Sequence, residues 1–155
     1  MFYSRLRTEE RLLIEAARQR QIHFEPVVVS DRMWPNEIGR KGDVAICRCI
    51  GHVQNHALAL TVEARGLITI NPSNVMEICG NKISTSTRLS MAGIPQPDYA
   101  IAFSLEGALE CAQKMGYPVV LKPPVGSWGR LLAKVNDRDA LEAITEHKLH
   151  LGSPH

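Results

Sequence analysis

Asp43-Val44-Ala45-Ile46-Cys47-Arg48-Cys49, then His52 to Arg65, then Gly66-Leu67-Ile68-Thr69-Ile70, is the stretch that decides the fold. Its first piece is short and mostly apolar, and it reads as a strand. The second reads as a helix, with Gly66 placed to close it, because glycine accepts the left-handed conformation common after a helix end. Leu67 to Ile70 is a second short buried strand, closed by Asn71-Pro72. Strand, helix, strand in so few residues is a βαβ unit, which requires a parallel pair and a right-handed crossover.

The same alternation continues toward the N-terminus. Met1-Phe2-Tyr3 reads as the end of a first strand. Thr8-Glu9-Glu10 opens a helix with a capping hydroxyl and acids in the first turn. Leu12, Leu13, Ala16 and Ala17 recur at helical spacing and predict one buried stripe. Residues 24–30, around Pro26-Val27-Val28-Val29, read as another strand. Residues 32–42, with Trp34-Pro35-Asn36 and two glycines, read as a loop. The expected fold class is α/β, with a doubly wound parallel sheet over residues 1–80.

Beyond residue 80 the pattern changes. Asn81 to Ala92 reads as a helix ended by Gly93, and Ile94-Pro95-Gln96-Pro97 as a rigid connector. Asp98 to Ala102 is predicted as a strand. Ser104 caps a helix that runs to Met115 and ends at Gly116. Val119 to Lys122 and Leu131 to Val135 are strands joined by a glycine-containing loop, which suggests an antiparallel hairpin. Asp137 caps a last helix through about His147. Residues 81–155 therefore form a second domain.

Composition narrows the function. Of 155 residues, 45% are apolar and 22% charged, with a formal net charge of +2. Lys and Arg are interspersed with Asp and Glu, so a dedicated nucleic-acid role is not expected. Apolar runs such as Val27-Val28-Val29 are too short to span a bilayer, and the N-terminus lacks the pattern of a secretory signal. The four cysteines, Cys47, Cys49, Cys79 and Cys111, are scattered. A chain able to build its own core needs no disulfide framework. The expectation is a cytoplasmic protein with reduced thiols.

The segment richest in chemistry is Val119-Val120-Leu121-Lys122-Pro123-Pro124-Val125-Gly126-Ser127-Trp128-Gly129-Arg130. It puts a lysine at the end of an apolar strand. That strand end is expected to be buried, so an anionic partner is expected near the Lys122 ammonium. Gly126 and Gly129 then bracket Ser127 and Trp128, and glycines let backbone N–H groups approach a ligand closely. Such a cradle suits phosphate oxygens, as in the kinase glycine loops that work with a lysine from a neighbouring strand. It is not a Walker motif. Taken alone, two glycines and a lysine are better read as a plain hairpin turn with a surface lysine.

Two signatures together resemble the LysX branch of the ATP-grasp ligases. One is Lys122-Pro123 followed by Gly126-Ser127-Trp128-Gly129-Arg130, which is similar to that family's central lysine and glycine loop. The other is Cys79-Gly80-Asn81-Lys82, with Thr85 and Leu89, then Ala92-Gly93-Ile94-Pro95-Gln96-Pro97. Tyr3-Ser4-Arg5 and Arg48-Cys49 resemble segments of the family's first domain, so the similarity covers nearly the whole chain. Asn81 and Ser4 stand where the family usually has acids.

The resemblance implies a pre-ATP-grasp domain over 1–80 and an incomplete α+β ATP-grasp subdomain over 81–155. It implies that Lys82 and Lys122 contact ATP phosphates, that Gly126, Ser127, Trp128 and Gly129 form a lid over them, and that Arg130 helps hold the lid. It implies ATP and Mg2+ as cofactors, with the metal ligands and the adenine-binding segment downstream of His155. The chain as given is therefore expected not to turn over substrate, and it contains no catalytic or metal residue to name. The implied reaction joins α-aminoadipate or glutamate to the C-terminal glutamate of a small acidic carrier protein, LysW, by way of an acyl phosphate. A homo-oligomer is expected at full length. A RimK-like ligase acting on a ribosomal protein, and a non-catalytic nucleotide-binding or assembly module, are the alternatives; Cys79-Gly80 favours the LysX branch.

Weaker features point elsewhere. His52 and His56 lie four apart on a helix, but Val53 stands where a zinc protease needs Glu, so a structural role is expected. Cys47 and Cys49 are expected on opposite faces of their strand, which argues against a shared metal. Trp34 is expected to pack in its loop.

Overall fold

The structure is a computed structural model that describes residues 1–31, 38–126, 129 and 131–150. The chain divides into two compact units, Met1–Gly80 and Asn81–His155.

In the first unit four strands form one sheet: β1 (Phe2–Tyr3), β2 (Val27–Val28), β3 (Val44–Arg48) and β4 (Ile68–Ile70). Their order is β2-β1-β3-β4, and every pairing is parallel. Helix α1 (Thr8–Gln19) connects β1 to β2, and α2 (His52–Glu63) connects β3 to β4. The two crossovers run in opposite directions from the β1/β3 pair. With right-handed connections this places α1 and α2 on opposite faces, the doubly wound arrangement. The core is made of Phe2, Val27, Ile38, Ala45, Cys47, Leu58, Ala59, Val62 and Leu67. Gly66, at φ +84°, closes the turn after α2, its N–H donating to the Glu63 carbonyl at 2.8 Å.

Several local expectations need correction. The segment 24–30 yields only a two-residue strand, followed by a 3-10 turn at Val29–Asp31. Its neighbour β1 offers just Phe2 and Tyr3 for pairing. Helix α1 is capped by Arg7, with Thr8 already inside it. Of the predicted stripe, Ala17 is buried and Leu13 and Ala16 are half-buried, with Glu10 buried beside them, whereas Leu12 is 63% exposed. Cys47 and Cys49 pack against the same core, since residues two apart on a strand share a face. Burial pushes the Cys47 thiol up to about 11, so it stays protonated and inert.

An unanticipated helix, α3 (Ser73–Gly80), follows the Asn71-Pro72 turn. Its start is fastened to α2. The Glu63 carboxylate accepts from the Ser73 N–H at 2.8 Å and from the hydroxyls of Ser73 and Thr69. Burial works against that charge, but these bonds hold the carboxyl below its usual range. At the other end of α3, Gly80 lies against His52. A Cβ there would sit 2.0 Å from His52 Cε1. His52 stacks on His56 with ring centroids 6.1 Å apart, which gives the histidine pair its packing role.

The second unit holds α4 (Lys82–Met91), α5 (Leu105–Met115), β5 (Val119–Leu121), β6 (Ala133–Val135) and α6 (Arg138–His150). Strands β5 and β6 pair antiparallel, Val119 opposite Val135 and Leu121 opposite Ala133. Leu109 and Ala112 of α5, Val135 of β6 and Leu141 of α6 form its core. Ser104 and Asp137 cap α5 and α6, accepting from the N–H groups of Gly107 at 3.0 Å and Ala140 at 2.8 Å. The predicted strand at 98–102 does not form. Those residues belong to no described strand, and Tyr99 and Phe103 are 42% and 95% exposed. The loop residues 32–37, Trp34 among them, lie outside the described residues.

Two measurements check this packing. Gly80→Ala should lower unfolding free energy by about 1–3 kcal/mol in a urea titration. His52→Ala in the same chain should restore most of that loss, because it removes the ring the new methyl meets. The second concerns Glu10, a fully buried carboxylate whose bonds from Arg7 and then Arg48 hold its pKa at about 2, against 4.5 ordinarily. A depressed folded-state pKa stabilises the fold above the unfolded value and ceases to do so as pH falls through the folded one. Stability should therefore decline from about pH 4.5 toward pH 2. Denaturant titrations across that range should find this slope reduced in Glu10→Gln.

Candidate functional site

The site is built where α4 begins. Asn81 has two jobs there. Its side-chain Oδ1 accepts from the N–H groups of Ile83 at 2.9 Å and Ser84 at 3.2 Å, which caps the helix. Its backbone forms an antiparallel bridge with Val125. The next residue extends the contact. The Lys82 N–H donates to the Pro124 carbonyl at 2.8 Å, and Lys82 Nζ donates to the Gly126 carbonyl at 3.1 Å. The start of α4 and the loop after β5 are thus clasped by two backbone contacts and one ammonium.

The loop has a backbone that few residues besides glycine accept. Gly126 has φ +146° and Gly129 φ +66°. Alanine at either position would be strained. Ser127, Trp128 and Arg130 lie outside the described residues.

Lys122 follows β5. Val119 and Leu121 of that strand pack toward α5 and α6, while Val120 is 54% exposed. Lys122 continues the exposed side and is itself exposed. The premise of a buried strand end, and with it a required anionic neighbour within the fold, is therefore wrong. The ammonium is hydrated and available, two residues before the carbonyl that receives the Lys82 N–H.

Of the seven residues expected to touch nucleotide, the structure brings Lys82 onto Gly126 and places Lys122 and Gly129 on the same loop. Sequence reasoning missed the double role of Asn81. Asparagine is among the best helix N-caps, which was a readable signal; its bridge to Val125 was not, since the partner lies 44 positions on. For a metal the residues do not fit. Among the described residues no three His, Cys, Asp or Glu side chains gather to hold one. The acids after Lys122 begin with Asp137, already spent on capping α6.

Comparison with known proteins gives this geometry a context. The family model of the LysX preATP-grasp domain matches residues 1–78. The chain belongs to the LysX preATP-grasp family. It is 36% identical over 149 residues to the glutamate–LysW ligase ArgX of Sulfurisphaera tokodaii, covering 96% of this chain and 53% of the relative. With the α-aminoadipate–LysW ligase LysX of the same organism it shares 37% over 153 residues, 96% of this chain and 54% of the relative. The chain thus spans about half the length of the curated relatives it matches. Among solved structures, a RimK domain ATP-grasp protein from Sphaerobacter thermophilus superposes with a TM-score of 0.77 at 31% identity, covering 98% of this chain and 59% of that one. The LysX/RimK type of ATP-grasp fold is therefore shared by relatives and structural neighbour alike. No helix among the described residues is long and apolar enough to cross a membrane.

The cap on α4 can be tested directly. Asn81→Ala should cost about 1 kcal/mol in thermal or denaturant unfolding, whereas Asn81→Asp should be close to neutral, because aspartate caps equally well. Equal losses in both would point to a need for the amide itself.

Proposed function

We propose that this chain is the first part of an ATP-dependent carboxylate–amine ligase, with residues 81–155 forming the subdomain that covers the nucleotide phosphates. The observation that carries the reading is the clasp of Lys82 on the glycine loop, which joins both lysine-bearing signatures in one place. Lys82 stands at the positive end of the α4 dipole, and Lys122 exposes its charge on the same loop as Gly126 and Gly129. Two ammoniums beside glycine backbone form a donor set suited to phosphate oxygens.

In this reading ATP phosphorylates a carboxylate, and an amine displaces phosphate from the acyl phosphate. The lysines hold and neutralise phosphate charge. The lid, with Ser127, Trp128 and Arg130, keeps water away. Mg2+, which the family implies, would supply charge neutralisation at the phosphates, from ligands in the part of the relatives that this chain does not span. The carboxylate is assigned to the C-terminal glutamate of a LysW-type acidic carrier and the amine to glutamate or α-aminoadipate. The names of the ArgX and LysX relatives support that choice. A cytoplasmic setting suits such biosynthesis. A RimK-type ligase acting on a protein tail is the second reading, favoured by the Sphaerobacter neighbour.

The test is carrier-dependent ADP release by an extended form of the chain, carrying the C-terminal half that its relatives possess. Release with carrier and glutamate or α-aminoadipate is expected. Lys82→Ala and Lys122→Ala should each reduce it on the order of a hundredfold. Release with a ribosomal-protein tail in place of the carrier would favour the RimK-type reading. No release above background with any acceptor would remove the ligase reading.

A further inference from the structure

In a sheet of order β2-β1-β3-β4 the chain turns opposite ways from β1 and from β3. Open α/β sheets bind ligands outside the carboxyl ends of the strands at such a reversal. Here the two loops leaving those ends are tied together, the Ile50 N–H donating to Ser4 Oγ at 3.0 Å. Arg7 and Arg48 meet there on one carboxylate, and Arg5 follows Ser4 in the chain.

Their organiser is Glu10, whose side chain has no exposed surface. Its Oε2 accepts from the Arg7 N–H at 3.1 Å and from Arg7 Nε at 3.0 Å. Its Oε1 accepts from an outer nitrogen of Arg7 at 2.8 Å and from Arg48 Nε at 2.9 Å. Four N–H groups fill the carboxylate. Arg48 spends only Nε on it. The side chain stays 34% exposed, and its outer nitrogens bond no described residue. Arg5, next to Ser4, is exposed and likewise bonds no described residue. Glu9, the other acid nearby, lies 4.0 Å from Arg7 Nε and is 62% exposed. Three guanidiniums against two carboxylates leave an excess positive charge.

A guanidinium held by Nε presents its outer two nitrogens as a fork, the geometry that takes a carboxylate in two parallel hydrogen bonds. Arg7 alone supplies three of the four N–H groups that Glu10 accepts. A second arginine, pinned by its inner nitrogen, is preorganised for something else.

We propose that the carboxyl ends of β1 and β3 form a carboxylate-binding site, with Arg48 as the fixed fork and Arg5 as the exposed second cation. Its ligand class is a carboxylate, borne either by a free acidic amino acid or by the end of an acidic peptide. This deepens the ligase reading, whose substrates are both acidic, and the choice of probes rests on that reading. The site uses no nucleotide, so it can be tested without one.

The experiment is a titration of the 15N-labelled 155-residue chain, without nucleotide, followed through the arginine Nε–Hε signals. The probes are L-glutamate, a short acidic peptide ending in glutamate, and sulfate as a control. Either carboxylate probe should shift the Arg48 and Arg5 signals, and the one that binds tighter identifies the source. Arg5→Gln should weaken binding about tenfold, the loss of one charge-assisted contact. Arg48→Lys, which keeps the charge but loses the fork, should weaken it at least as much. Arg5 bonds nothing described in the fold, so its variant decides the matter even if Arg48→Lys unfolds. Signals unmoved by both carboxylates, binding unchanged in Arg5→Gln, or equal shifts with sulfate would each overturn the site. A failed ADP assay would leave this result standing, and the reverse holds too.

Discussion

A carboxylate taken wholly out of water is expensive unless every lone pair is met, and Glu10 meets that condition with two arginines from different elements. The contact joins the start of α1 to the end of β3. Because β1 is only two residues long, hydrogen bonding within the sheet does little to hold it. The ion cluster fixes the helix that follows β1 relative to the strand beside it, and so keeps the carboxyl ends of β1 and β3 in register. An apolar residue at position 10 could fill the space, but it would leave Arg7 and Arg48 undirected.

The second unit depends on a smaller device of the same kind. A hairpin of two short strands with two helices on one face has little core of its own. Its glycine loop is steadied by the first residues of α4 instead. One asparagine both starts the helix and pairs with the loop, so backbone geometry brings the lysine that follows to the loop, and its ammonium reaches the Gly126 carbonyl. Asparagine and aspartate cap by the same kind of oxygen, so either residue at position 81 can start the helix.

Much of this was legible in the chain. The βαβ rhythm of 43–70 led to a parallel sheet, and glycines, Ser104 and Asp137 marked helix ends that the structure places within a few residues. What could not be read locally was whatever depends on a distant partner. Helix α3 needs Glu63 to fasten Ser73, and the Asn71-Pro72 turn hides it. The segment 98–102 has strand composition but no described strand beside it, and composition alone cannot supply a neighbour. Leu12 faces out because Glu10, an acid, took the inward position, a reversal of the usual preference. Lys122 was judged by the apolarity of its strand, when only one side of that strand is covered.

The four thiols differ sharply in accessibility. Cys47 is buried and strongly protonated, Cys49 and Cys111 are half-covered, and Cys79 alone is exposed. Cys79 sits on the last turn of α3, three residues before the start of α4. A fluorophore or spin label introduced under mild conditions would attach first at this helix end, so the wild-type chain carries its own reporter of the order of α3.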